Sequence, residues 1–309
     1  MSQFEWHGVY PTATTKFTSD DLLDIPEMER CFARLLAAGV HGLIVCGSLG
    51  EASTLEHRET IEVLRTALRA TEGNIPVICT VAESSTRRAQ ALAEAAANEG
   101  AAGLMVLPGV PYRSDPQETL AHYQAVAAAG GLPMMIDNNP ISYGVDITTT
   151  VLTEMASEPL FVAIKESSGD ISRVVRLHNE FGNRFKVFAG MDVLALESLA
   201  DGADGWVASL AGAFAQEAVA LYELVRKNQM AEALALYRWF HPLLDLDLSP
   251  KRVQNIKLVE ALAVGSNDRC RLPRLPLAGD ERAQIESLVR HALATRLDLA
   301  GDQSTKALP

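Results

Sequence analysis

Eight short apolar runs, each followed by a longer amphipathic stretch, constrain this chain more than any other feature. The runs are residues 8–13, 42–46, 76–81, 103–107, 133–137, 161–165, 187–189 and 205–208. Between them, helix-like periodicity covers 26–38, 57–71, 86–99, 116–129, 148–155, 171–181 and 192–200. Strand, helix, strand repeated in this way predicts parallel pairing with crossover helices. Each run is nearly continuous in its apolar residues, as expected of strands covered on both faces. Eight such units close a ring more naturally than they extend an open sheet, so the expected fold is α/β, a (β/α)8 TIM barrel. Glycines after several helical stretches, as in Gly100 and Gly202, suit helix C-caps that lead into strands.

After the eighth run the pattern becomes purely helical, over 216–228, 230–240, 251–264 and 280–295. The first of these completes the barrel and the other three form a C-terminal three-helix appendage. The expected organisation is a catalytic barrel over 1–228, a helical region over 229–297 and a disordered tail over 298–309. The length of 309 residues fits a barrel of about 250 plus such an appendage.

Composition mainly excludes. The formal net charge of −12 argues against nucleic acid, whose phosphates need clustered Lys and Arg. Cys31, Cys46, Cys79 and Cys270 form no Cys-x-x-Cys pair, and no His stands at ligand spacing from them. They are expected to be reduced thiols, with no metal site and no redox centre. The first ten residues do not resemble a secretory leader, and no apolar run approaches the roughly 20 residues of a membrane span. A cytoplasmic protein without a membrane partner is the expectation.

In a barrel of this kind the chemistry sits at the C-terminal ends of the strands. The sixth run, Phe161-Val162-Ala163-Ile164, ends in Lys165. Burial disfavours an ammonium ion, and a neutral amine can attack a ketone to form an imine that serves as an electron sink. Position alone leaves an alternative: a structural lysine paired with a carboxylate such as Glu166. The second run ends in Gly47-Ser48-Leu49-Gly50-Glu51, whose amides and hydroxyl could cradle a carboxylate or simply make a tight turn.

Taken together and in order, these segments resemble the dihydrodipicolinate synthase / N-acetylneuraminate lyase family of class I aldolases. Val9-Tyr10-Pro11-Thr12-Ala13-Thr14-Thr15-Lys16-Phe17 resembles its opening strand, Gly47-Ser48-Leu49-Gly50-Glu51 its carboxylate loop, and Ile164-Lys165-Glu166-Ser167-Ser168 its Schiff-base strand. Gly190-Met191-Asp192 and Gly202-Ala203-Asp204-Gly205 resemble its seventh and eighth strands. The resemblance implies Lys165 as the imine lysine, no metal or other cofactor, a small 2-oxo acid or imino acid as substrate, and a homotetramer built as a dimer of dimers. The segments 138–146, 194–199, 205–208, 237–247 and 273–277 are most similar to the 1-pyrroline-4-hydroxy-2-carboxylate deaminase branch. That branch couples dehydration to deamination and yields 2-oxoglutarate semialdehyde.

Three departures from the family pattern matter. Asp137 stands where the family places a proton-shuttling tyrosine. A carboxylate can act as acid or base, but its unperturbed pKa lies near 4 against about 10 for a phenol. Ser142 stands where the dihydrodipicolinate synthases hold a substrate carboxylate with arginine, which argues against aspartate semialdehyde. Leu49 replaces the second hydroxyl of the carboxylate loop, and Ser48 keeps the first. Tyr112 and Tyr143 are candidates to replace the missing phenol, Tyr112 matching a tyrosine that crosses a subunit interface in the family. Gly190, Asp192 and Ser209 match positions lining the substrate site, the last two those that bind a sugar's hydroxyl tail. The expected function is therefore a Schiff-base lyase or deaminase. The alternatives are an aldolase or sugar-acid dehydratase on the same machinery, and a barrel that binds a 2-oxo acid without turnover because of Asp137.

Overall fold

The computed structural model describes residues 4–299, so the expectation for the tail falls, from residue 300 onward, outside the described residues. Eight strands follow in order: β1 Gly8–Pro11, β2 Leu43–Val45, β3 Val77–Val81, β4 Gly103–Val106, β5 Met134–Asn138, β6 Phe161–Glu166, β7 Lys186–Ala189 and β8 Gly205–Ala208. Every pairing is parallel, each strand beside its sequence neighbour and β1 beside β8. A bridge between Thr12 and Ile44 closes the ring between β1 and β2. The chain is thus a (β/α)8 barrel.

The helices are α1 Ile25–Ala37, α2 His57–Thr71, α3 Thr86–Glu99, α4 Pro116–Gly130, α5 Pro140–Tyr143, α6 Thr149–Met155, α7 Ser172–Phe181, α8 Ala195–Ala200, α9 Ala211–Arg226, α10 Met230–Leu244, α11 Arg252–Val264 and α12 Gly279–Ala294. The stretch expected as one helix over 192–200 divides into a 3-10 turn, Asp192–Leu194, and α8. Helix α10 runs past Pro242, in its last turn, to Leu244. The single turn α5 has no apolar period and was not legible as helix. Asn139 caps it by accepting from Ser142 N at 3.0 Å, Pro140 opens it, and Gly144 ends it at φ +70°.

Strand periodicity decides what reaches the barrel axis. One residue from each strand (Tyr10, Ile44, Ile78, Met105, Met135, Ala163, Phe188 and Val207) joins a buried cluster of its own. Their strand neighbours, such as Val9, Leu43 and Ile136, belong to the larger cluster shared with the helices. Side chains alternate, so the next inward position lies two residues further toward the strand's C-terminal end. That step reaches Thr12, Asp137, Lys165, Gly190 and Ser209, which share one cavity.

A β-bulge sets this parity in β6. Met134 pairs with Phe161, but Met135 pairs with Ala163, leaving Val162 as the extra residue. Without it, Ile164 would oppose Asp137; with it, Lys165 does.

The C-terminal helices are tied to the barrel by apolar and ionic contacts. Leu236, Phe240, Ile256 and Val259 share the main buried cluster. Lys257 on α11, fully buried, pairs with the equally buried Glu51, and Lys16 pairs with Glu260. Glu51 also accepts from Arg271 N at 3.0 Å. This anchors the loop after β2 from beneath, where Glu51 itself adopts a left-handed φ of +59°.

Candidate active site

At the C-terminal mouth of the barrel lies a cavity of about 120 Å³, the scale of a small organic acid. Lys165 Nζ stands 3.1 Å from Asp137 Oδ1, the side chains 12% and 1% exposed. The carboxylate facing the lysine is therefore Asp137 rather than Glu166. Glu166 points away and is held by Arg173 Nε at 3.0 Å and Asn138 Nδ2 at 3.1 Å.

The hydroxyl missing from position 137 is supplied by Tyr143. Its OH donates to Asp137 Oδ2 at 3.1 Å and lies 3.3 Å from Ser48 Oγ. Burial, and then the Asp137 carboxylate, push its pKa far above the ordinary phenol value. It therefore stays protonated and donates to Asp137, while Ser48 donates to it. Lys165, Asp137, Tyr143 and Ser48 form one connected chain of hydrogen bonds. Helix α5 makes this possible, because one helical turn after β5 brings residue 143 back over residue 137.

Gly47, Ser48 and Leu49 line the same cavity. The amides of Ser48 and Leu49 donate to no backbone acceptor among the described residues, which leaves them able to bind an anion. Leu49 contributes its amide and an apolar wall, its side chain being buried. Gly190 makes room for the lysine: a Cβ there would lie 2.0 Å from Ser167 Oγ and 2.8 Å from Lys165 Cγ. Ser209 lines the cavity as expected.

Two expected substrate contacts lie elsewhere. Asp192, 1% exposed, accepts from Trp206 Nε1 at 2.9 Å, Ser209 N at 3.1 Å and Leu210 N at 2.9 Å. Its oxygens hold the end of β8 and do not face the cavity. Burial, and then the nearby Asp247, push its pKa up to about 7. Tyr112 is 61% exposed and donates to Glu118 at 3.0 Å, away from the cavity of its own chain.

Among the cavity residues missed from the sequence are Asp247, Leu248 and Arg252. They come from the turn after α10 and the start of α11, far from every strand end; Asp247 ends the branch-like segment 237–247, which carries no sign of a site residue by itself. Arg252 gives the cavity a guanidinium, brought by α11 and not by the segment in which Ser142 stands. Among the described residues, no group of three or more His, Cys, Asp or Glu side chains could hold a metal ion. No helix among them is long and apolar enough to cross a membrane.

Residues 5–292 match the model of the dihydrodipicolinate synthetase family. The chain is 32% identical over 279 residues to a 4-hydroxy-tetrahydrodipicolinate synthase of Exiguobacterium sibiricum, covering 89% of this chain and 93% of the relative. It is 31% identical over 291 residues to one from Methanoculleus marisnigri, with 92% and 97% covered. Among solved structures, the 4-hydroxy-tetrahydrodipicolinate synthase of Methylacidiphilum fumariolicum SolV superposes with a TM-score of 0.88 at 25% identity, covering 94% of this chain and 98% of that one. The E. coli K12 prophage protein YagE, solved in complex with pyruvate, gives 0.88 at 26% identity, with 93% and 99% covered.

Proposed function

Because the chain belongs to the dihydrodipicolinate synthetase family and is a class I aldolase-type lyase, we propose that Lys165 forms an imine with a small 2-oxo acid or a cyclic imino acid. The observation that carries this reading is the connected path from Lys165 through Asp137 and Tyr143 to Ser48. Asp137 takes a proton from the Lys165 ammonium. The amine attacks C2 of the substrate, and the C2 oxygen leaves as water with protons returned along the path. For a cyclic imine, the ring nitrogen leaves C2 instead as a primary amine, taking two of the three Lys165 ammonium protons along the path while the third stays on the iminium. The free amides of Ser48 and Leu49 receive the carboxylate. The buried hydroxyls of Thr12 and Ser167 line the cavity without a partner among the described residues, and a polar substrate would satisfy them.

Within this chemistry we favour a 1-pyrroline-4-hydroxy-2-carboxylate deaminase-like reaction, on the resemblance of the segments 138–146, 194–199, 205–208, 237–247 and 273–277. A second reading gains from Arg252, which could hold the carboxylate of an aldehyde acid condensing with pyruvate, as the names of the relatives describe. The Tyr143 hydroxyl beside Asp137 supports turnover over a barrel that only binds.

Borohydride trapping with a small substrate panel, followed by peptide mapping, tests the reading. The expected result is a label on Lys165. Ammonia release from the hydroxypyrroline, against product formation from pyruvate and aspartate semialdehyde, separates the two reactions. Absence of label with every substrate would sink both. We also propose a cytoplasmic homotetramer on the family resemblance, which light scattering and cell fractionation would test.

A further inference from the structure

The cavity holds a second carboxyl group in a setting unlike that of Asp137. Asp137 is tied by two hydrogen bonds, to Lys165 and Tyr143. Asp247, on the 3-10 turn Asp245–Leu248, forms no ion pair among the described residues. The polar groups acting on it are the Arg252 guanidinium, the Lys165 ammonium, the Ser209 hydroxyl and the buried Asp192 carboxyl. Two carboxyls in one cavity, one tied to Lys165 and Tyr143 and the other outside that hydrogen-bond chain, are an arrangement that can divide base from acid. Arg252 likewise lines the cavity with no side-chain hydrogen bond or ion pair to any described residue.

We propose that Asp247 is the acid that protonates a leaving hydroxyl on C4 of the imine-bound substrate, and that Arg252 positions this hydroxyl. This rests on the lysine-imine reading above and narrows the substrate to a 2-oxo or cyclic imino acid hydroxylated at C4. A base first removes a proton from C3, and its electron pair forms the C2–C3 bond of an enamine while the iminium nitrogen is neutralised. The nitrogen lone pair then restores the iminium, the C2–C3 pair becomes a C3–C4 double bond, and the C4–O bond breaks. The departing oxygen takes the Asp247 proton and leaves as water. Solvent returns a proton to Asp247, and nothing is oxidised or reduced. Burial pushes the Asp247 pKa above the ordinary carboxylate value, which keeps the proton available nearer neutrality.

The test compares Asp247→Asn and Asp247→Glu with the wild type in three assays. They are borohydride labelling of Lys165 with pyruvate, exchange of the pyruvate methyl hydrogens in heavy water, and water loss from C4-hydroxylated 2-oxo and pyrroline acids. Exchange needs the imine and the C3 base but no leaving group. Loss of a general acid costs about 10²–10⁴-fold, so water loss in the Asn variant should fall by at least about 100-fold more than exchange does. The Glu variant should recover part of it, and in the wild type the rate should fall as pH rises through the Asp247 titration. Equal losses in exchange and elimination, or elimination in the Asn variant within about fivefold of wild type, would overturn the proposal. So would a wild type that labels with pyruvate yet removes water from no acid of the panel. A wild type that does not label at all overturns the lysine-imine reading, and this proposal with it.

Discussion

Lys165 Nζ and Asp137 Oδ1 stand 3.1 Å apart because a single extra residue, Val162, shifts the register between β5 and β6. The pair is built from two neighbouring strands, so its geometry is fixed by the sheet rather than by loops. Its immediate consequence is that an amine and a carboxylate are held as direct hydrogen-bond partners in one cavity.

Asp137→Asn keeps the shape and removes the base. If Asp137 carries the proton, kcat falls by about 10²–10⁴-fold while the fold is kept. Steady-state kinetics beside a thermal melt decide this, and turnover within a few-fold of wild type would remove Asp137 from the path. Asp137→Tyr gives the converse reading: a strong gain would mark the native site as specialised for slow turnover.

Tyr143→Phe removes only the oxygen that joins Asp137 to Ser48. The stability cost should be about 1 kcal/mol, that of one hydrogen bond. The catalytic cost should be larger than that of Ser48→Ala, since Ser48 touches Asp137 only through Tyr143. Equal effects of the two variants on kcat would show that the path does not run in this order.

Gly190→Ala places a methyl group 2.0 Å from Ser167 Oγ and 2.8 Å from Lys165 Cγ. Overpacking of this kind costs about 1–3 kcal/mol. Because the displaced atoms belong to the lysine stem, borohydride labelling should slow along with the loss in melting temperature. A destabilised protein with undiminished labelling would mean that the stem relaxes elsewhere.

Lys257→Met leaves Glu51 buried without its main counter-charge. Breaking a buried pair by removing one partner costs about 3–5 kcal/mol. The double variant Glu51→Gln/Lys257→Met should lose less than the sum of the two single variants, the signature of direct coupling. Additive losses in denaturant unfolding would contradict the pairing.

Asp192 predicts a pH dependence. Its pKa is raised from 3.8 to about 7, so the folded state holds this proton more tightly than the unfolded chain does. That contribution is fully present below the unfolded value and is lost as pH rises toward 7. Asp192→Asn should be less stable throughout, having one acceptor oxygen for three N–H donors. Its deficit relative to wild type should narrow between about pH 4 and 7. A deficit that widens over that range would place Asp192 in its ionised form throughout.

Much of this was legible before any coordinates. The eight apolar runs became eight strands, and Lys165, Asp137, Ser48, Leu49, Gly190 and Ser209 line one cavity. Tyr143 was legible as a candidate but not its position, because α5 is too short for periodicity and depends on the Asn139 cap. Asp192 looked like a ligand by its place at a strand end. Its oxygens are instead consumed by Trp206, Ser209 and Leu210.

What the sequence by itself determined is the barrel, and with it the end at which the chemistry sits, because hydrophobic period and run length are local properties. Two things only the tertiary structure decided. The bulge at Val162 turned Lys165 rather than Ile164 toward Asp137, a matter of inter-strand register that no single strand encodes. And the packing of α11 against the loop after β2 carried Asp247 and Arg252 to the cavity of Ser48, about two hundred positions earlier in the chain, and of Lys165, some eighty positions earlier, a contact made by the folded core as a whole.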